Sequence, residues 1–267
     1  MELAPRPRGR SGQLNLTGRT VLVTGGGSGI GRGLAEALYS LGNTVIVAGR
    51  RRQHLEDVAA AHPDVAAAHP GIRTMALDIT DPGSIARVVS SVVQSHPDLD
   101  VLINNAGVML DTDLTRPVAD DDLERTVATN LLGPIRLISA LIDHLSARPS
   151  AAIINVSSML AYAPLARAPL YSATKSALHS YTLSLRQQLR STAIEVIEIA
   201  PPMTRTALQP INLTEPRAMP LDAFIHETVA ALEAGESEAY VSAARQRRDA
   251  QRTGDIEATQ RLNELMG

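Results

Sequence analysis

The run Thr20–Thr24 (TVLVT) leads straight into Gly25-Gly26-Gly27-Ser28-Gly29-Ile30-Gly31, and a helical spacing of apolar residues follows at Leu34, Ala37, Leu38 and Leu41. A short β-branched run of this kind reads as a buried parallel strand. The glycines behind it allow a tight turn and let another group come close to the backbone. A helix starting there aims its unpaired N–H groups at the turn, which suits a pyrophosphate. Strand, glycine turn and helix in this order point to an α/β fold with a nucleotide site. The spacing is T-G-x-x-x-G-x-G over Thr24, Gly25, Gly29 and Gly31, not the commoner G-x-G-x-x-G.

The alternation continues. Thr44–Ala48, Arg73–Leu77, Leu99–Ile103, Ala152–Val156, Glu195–Ile199 and Ala239–Val241 read as strands, with helical spans between them. Two of those helical spans cover 81–95 and 120–145. This predicts a single α/β domain: a doubly wound parallel sheet of about seven strands with helices on both faces. The domain would span 15–241, between a disordered tail at 1–14 and a helical C-terminal tail at 242–267 that could pack across a neighbouring copy. Ligands of such sheets bind beyond the carboxyl ends of the strands. Gly25–Gly31, Arg50, Asp78, Asn104, Ser158 and Pro201 all fall at such ends.

Composition narrows the function classes. A net charge of −3 gives no electrostatic case for nucleic acid. With no cysteine, disulfides and thiolate metal sites are excluded. No apolar run approaches the ~18 residues of a membrane helix, and residues 1–10 lack the apolar core of a secretory signal. The expectation is a cytoplasmic protein without a membrane segment. The heptapeptide DVAAAHP occurs twice in tandem, at 57–63 and 64–70. Pro63 would break a helix running through both copies, so a surface protrusion or kinked extension is expected. Nothing fixes His62 against His69, so no metal site is assigned.

Of the 25 basic residues only Lys175 is a lysine, and it lies four residues after Tyr171. On a helix those two side chains share a face. A nearby ammonium would draw the tyrosine pKa down from about 10, at roughly 1.4 kcal/mol per unit, and make it a general acid or base near neutrality. Alone, an ordinary exposed Tyr/Lys pair explains the spacing as well. Past the second strand, Gly49-Arg50-Arg51-Arg52 offers no carboxylate where an NAD site would bond the ribose 2′-hydroxyl. Arginines there oppose the helix macrodipole, and a 2′-phosphate would relieve the mismatch. Arg50 is the best-placed contact; Arg52 fits a solvated helix end. Asn130, flanked by Ala128, Leu131 and Leu132, could equally bend the helix or bond in the core.

T-G-x-x-x-G-x-G, Asn104-Asn105-Ala106-Gly107, a serine thirteen residues before the tyrosine, and Tyr-x-x-x-Lys together resemble the short-chain dehydrogenase/reductase family over residues 18 to 206. Val196–Pro202 (VIEIAPP), with Pro-Pro where Pro-Gly is usual, looks like the DltE-type branch. The resemblance implies a Rossmann-like domain and an oxidoreductase passing hydride between NADP (NAD possible) and a small carbonyl or alcohol. It implies Tyr171 as proton donor or acceptor, Lys175 holding the nicotinamide ribose and depressing the tyrosine pKa, Ser158 bonding the substrate oxygen, and Asn130 positioning a water. Cofactor contacts would come from Gly25, Ser28, Gly29, Ile30, Arg50, Asp78, Ile79, Asn105, Ala106, Gly107, Tyr171, Lys175, Pro201 and Thr206. Pro202 in place of glycine puts one backbone contact in doubt. A homodimer or homotetramer is implied. Substrate choice would lie in 109–113, 159–169 and 203–220, where Leu160, Tyr162, Met203 and Leu208 suggest an apolar pocket and Arg167 and Arg205 could meet an acidic substrate. A cofactor-binding sensor or scaffold with little turnover is the alternative.

Overall fold

The computed structural model describes residues 15–63, 71–241, 244–246, 248–249 and 263–265. The strands are β1 (Thr20–Thr24), β2 (Thr44–Gly49), β3 (Arg73–Ala76), β4 (Val101–Asn104), β5 (Ala151–Val156), β6 (Ile194–Ile199) and β7 (Glu238–Ala239). All seven run parallel in one sheet ordered β3-β2-β1-β4-β5-β6-β7. The helices are α1 (Gly29–Ser40), α2 (Arg52–Ala61), α3 (Pro82–Ser95), α4 (Asp120–Val127), α5 (Gly133–Ser146), α6 (Pro169–Leu189) and α7 (Leu221–Glu233). The doubly wound parallel sheet expected from the alternation is what forms.

Side chains alternate across a strand, so each β-branched run feeds two cores. Val21 and Val23 face one layer with Leu34 and Leu38 of α1, Leu55 and Val58 of α2, and Phe224 of α7. Leu22 faces the other, with Ile85 and Val92 of α3, Leu137 and Leu141 of α5, and Leu185 of α6. Runs apolar on both faces are what a two-sided sheet requires. The strand order reverses between β1 and β4, and the crevice opened there at the carboxyl ends is where such folds take ligands.

The long helix expected at 120–145 is interrupted. Between α4 and α5 the chain makes a π-turn over Ala128–Leu132, with Gly133 N–H bonded to the carbonyl of Ala128. Pro134 has no N–H to give the carbonyl of Asn130, its α-helical partner. Tight packing adds to the demand: a Cβ on Gly133 would lie 2.6 Å from Ile79 Cγ1 and 2.8 Å from its carbonyl oxygen. A single helical period across 120–145 hid that break.

The first DVAAAHP copy finishes α2, and His62 then turns back onto α1. Its Nε2 lies 3.3 Å from Glu36, and its ring meets Tyr39 edge-on. The second copy, with its expected protrusion and His69, lies outside the described residues, as does the tail at 1–14. Among the described residues no helix is long and apolar enough to cross a membrane, and no group of three metal-ligating side chains occurs. The last strand falls at 238–239 rather than 239–241.

Candidate active site

The glycine turn is built as the sequence demands. Gly25 and Gly29 have φ of 67° and 55°, where only glycine is unstrained. Gly25 N–H is tied to the Ala48 carbonyl of β2 at 2.7 Å. From just past β4, Asn105 reaches across: its Nδ2 donates to the Thr24 carbonyl at 2.9 Å. Thr24 Oγ1 accepts from the N–H groups of Asn105 and Ala106. These bonds bring β4 so near that a Cβ on Gly31 would sit 2.3 Å from Asn105 Nδ2 and 2.5 Å from the Gly25 carbonyl oxygen. The Ser28 hydroxyl does not cap α1; it accepts from Arg51 Nη2 at 2.8 Å.

At the carboxyl end of β2, Arg50, Arg51 and His54 all border the main cavity. Arg52 is the solvated residue, paired with Glu56 at 2.7 Å. Arg51 and His54 were not singled out by the sequence; three consecutive arginines carry no signal for which one turns inward. Asp78 is not among the lining residues, although Leu77 and Ile79 on either side are. Its carboxylate turns onto Thr80, accepting from N–H at 2.9 Å and from Oγ1 at 2.7 Å. Those bonds, with some help from the Arg50 charge, hold its pKa below the usual value against the opposing effect of burial.

Tyr171 and Lys175 lie one turn apart on α6 and are 6% and 3% exposed. Ser158 follows β5 by two residues, and all three border the same cavity as the glycine turn. Lys175 Nζ donates to the carbonyl of Val156 at 2.8 Å and stands 5.6 Å from the Tyr171 ring centre. Burial pushes the lysine down to about 8, offset in part by the charge of Glu198. The expected drop in the tyrosine pKa is absent from the protein's own groups. Burial pushes Tyr171 up to about 12, and a hydrogen bond with Ser158 offsets only part of that. The reason is geometric: the ammonium is turned onto a backbone carbonyl instead of the phenol oxygen.

Asn130 is wholly buried and is not among the lining residues. Its Oδ1 accepts from Val108 N–H at 2.8 Å; its Nδ2 donates to the Val108 carbonyl and to Thr174 Oγ1. The side chain thus pins the loop after β4 to α6. Gly107 completes that junction, for a Cβ there would lie 3.4 Å from Asn130 Oδ1 and 3.7 Å from Lys175 Nζ.

The cavity measures about 580 Å³ and runs from Arg50 past Ile30, Ala106, Gly107, Pro201 and Thr206 to the three segments expected to choose a substrate. Met109, Leu110, Met159, Leu160, Leu165, Met203 and Leu208 make that end mostly apolar, as expected. Tyr162 is buried in the core instead. Arg167 borders the cavity and joins the segments, with Nη2 on Gln209 Oε1 while Gln209 Nε2 bonds Asp111. Arg205 is exposed and outside the lining. From the C-terminal tail, Asn263 Nδ2 bonds the Pro164 carbonyl and Arg217 bonds the Leu265 carbonyl, so the described tail residues rest on this chain's own loops.

Residues 19–215 match the profile of the short chain dehydrogenases. With the sheet, glycine turn and Tyr-x-x-x-Lys helix now placed, the chain belongs to the short-chain dehydrogenase family and is an NAD(P)-dependent oxidoreductase. Among its relatives is the "Uncharacterized oxidoreductase DltE" of Bacillus subtilis (strain 168), 40% identical over 200 residues, or 73% of this chain and 75% of the relative. A short-chain dehydrogenase from Sphingobium yanoikuyae in complex with NADPH superposes with a TM-score of 0.77 at 26% identity, covering 90% of this chain and 95% of that one. A short-chain dehydrogenase/reductase from Burkholderia phymatum in complex with NAD superposes at 0.78, covering 91% and 95%; at 20% identity it bears on the fold alone.

Proposed function

We propose that the chain reduces a small carbonyl compound, or oxidises the corresponding alcohol, with NADP(H) preferred over NAD(H). The observation that carries this reading is that Ser158, Tyr171 and Lys175 border the same cavity as Gly25, Ser28, Gly29, Arg50 and Arg51. The residues fit a dinucleotide. Positive-φ glycines and a floor with no room for a Cβ leave backbone N–H groups open to a pyrophosphate. No carboxylate follows β2, where Arg50 and Arg51 stand instead, which suits a 2′-phosphate better than a bare ribose. The Sphingobium relative's NADPH accords with that preference.

The bound nicotinamide would supply or accept the hydride. For the chain's own part, Ser158 Oγ would hold the substrate oxygen while Tyr171 passes it a proton. The pKa of about 12 keeps that phenol protonated at neutral pH, ready to donate to a developing alkoxide. Lys175 would grip the ribose hydroxyls. Asn130 works from behind the wall, holding the Val108 backbone and α6 in register. The apolar lining near Met109, Leu160 and Met203 would exclude water and receive an apolar substrate body.

The test is the rate of NADPH and NADH oxidation over a panel of aldehydes, ketones and diketones. NADPH-selective turnover is expected. Faster turnover with NADH would overturn the cofactor preference. Tight cofactor binding with no turnover on any carbonyl would favour a sensor or scaffold.

A further inference from the structure

Behind the site lies a buried polar cluster that hydride transfer does not use. Glu198 on β6 is 0% exposed, and both its oxygens are filled. Ser157 Oγ donates to Oε1 at 2.5 Å; Tyr240 OH donates to Oε2 at 3.0 Å, and His179 Nδ1 lies 2.8 Å from the same atom. Tyr162 closes the ring, its hydroxyl bonded to Tyr240 and to His179 Nδ1. An unpaired carboxylate in a core costs several kcal/mol, so three partners drawn from three segments, with Tyr162 closing the ring behind them, argue for a role.

The register of α6 indicates which. Tyr171, Lys175 and His179 follow one another at steps of four and lie along one face. The stripe therefore continues one turn past the lysine, and its third member grips Glu198. Glu198 in turn grips Ser157, whose preceding carbonyl, that of Val156, receives the lysine proton. Ser157 N–H is bonded to the Ile199 carbonyl, so the peptide is fixed from β6 on both sides. We propose that Glu198 is a positioning residue for Lys175, holding its backbone acceptor through Ser157 and balancing its charge from within the core. Consistent with this, the Glu198 charge works against the fall in the lysine pKa, and it raises the pKa values of Tyr162 and Tyr240 further than burial alone does. The titratable groups around the pair are Tyr171, His179, Tyr162, Tyr240 and, further out, Glu238 and Arg248.

This proposal rests on reading Lys175 as the ribose-holding cation, and the two can fail separately. The measurement is NADPH affinity of the full chain against pH, followed by the fluorescence of the reduced nicotinamide. With protonated Lys175 needed for binding, affinity holds up to about pH 8 and then falls by up to about tenfold per unit. That limb vanishes in Lys175→Met; a limb that survives there overturns both readings. Glu198→Gln keeps the shape, removes the charge, and is expected to move the limb to lower pH. An unmoved limb in a folded Glu198→Gln protein overturns the proposal and leaves the lysine reading intact. Should that variant lose its melting transition, Ser157→Ala carries the test. It keeps the charge but cuts the tie, so turnover drops several-fold while the limb stays in place. Wild-type turnover in Ser157→Ala overturns the proposal.

Discussion

Lys175 Nζ is bonded at 2.8 Å to the carbonyl of Val156, so the chain's single ammonium is anchored to the carboxyl end of β5 and not to the phenol of Tyr171 one turn before it. The sheet thereby sets where the charge sits, and α6 only carries it there. The ammonium there meets a single backbone carbonyl, a partner that suits a compact point charge and not a planar guanidinium with its fixed fork of donors.

Lys175→Arg is accordingly expected to lower kcat/KM at least about tenfold although the charge is kept. Steady-state kinetics with NADPH check it. Near-normal values would mean that the lone lysine has no special task.

Removing the phenol hydroxyl separates chemistry from binding. Tyr171→Phe should cut turnover by about 10²–10⁴-fold, while NADPH affinity by titration changes less than about threefold, since the ring and its packing remain. Substantial residual activity would remove Tyr171 from the proton-transfer role.

Arg50 and Arg51 share one end of the cavity but do different work. Arg51 is committed to the Ser28 hydroxyl, whereas Arg50 has no such tie and faces Asp78. Replacing Arg50 with alanine should therefore cost NADPH affinity about tenfold and leave NADH affinity little changed, a difference typical of one charge-assisted contact. Arg51→Ala should weaken both cofactors through the glycine turn. Equal losses in Arg50→Ala would place the 2′-phosphate elsewhere.

Gly31→Ala would force a methyl against the Gly25 carbonyl, a backbone atom that cannot step aside. Overpacking of this kind costs about 1–3 kcal/mol, so a lower melting temperature and loss of cofactor binding are expected together. A stable Gly31→Ala protein with normal affinity would contradict the close approach of β4 to the turn.

Asn130→Ala would remove the partner of the half-buried Val108 N–H and carbonyl, at about 1–2 kcal/mol. Thermal melting should show that loss along with reduced turnover. Reduced turnover at unchanged stability would mean that Asn130 acts on the chemistry directly.

The fold was legible almost in full, because its signals are local. TVLVT, TVIVA and AIINV are apolar on both faces and separated by helical periods, which leaves few arrangements other than a parallel sheet with two helical layers. The positive-φ glycines, the face shared by Tyr171 and Lys175, and the position of the candidate residues at strand ends follow from spacing in the same way. The chain by itself thus determined the architecture, the family and the position of the candidate cavity at the strand ends.

Tertiary structure decided what depends on distance between segments far apart in sequence. It chose Arg51 for Ser28 across 23 residues, turned Asp78 onto Thr80, and broke the helix at Asn130 where Gly133 meets Ile79. It also gathered Ser157, Tyr162, His179, Glu198 and Tyr240 around one buried carboxylate, which no spacing announces. Above all it set the pKa values: a tyrosine four residues before a lysine reads as a tuned acid, yet burial and the direction of one N–H bond settle its proton affinity. Helical spacing specifies which side chains share a face; only packing specifies which atoms they touch and how much water they lose.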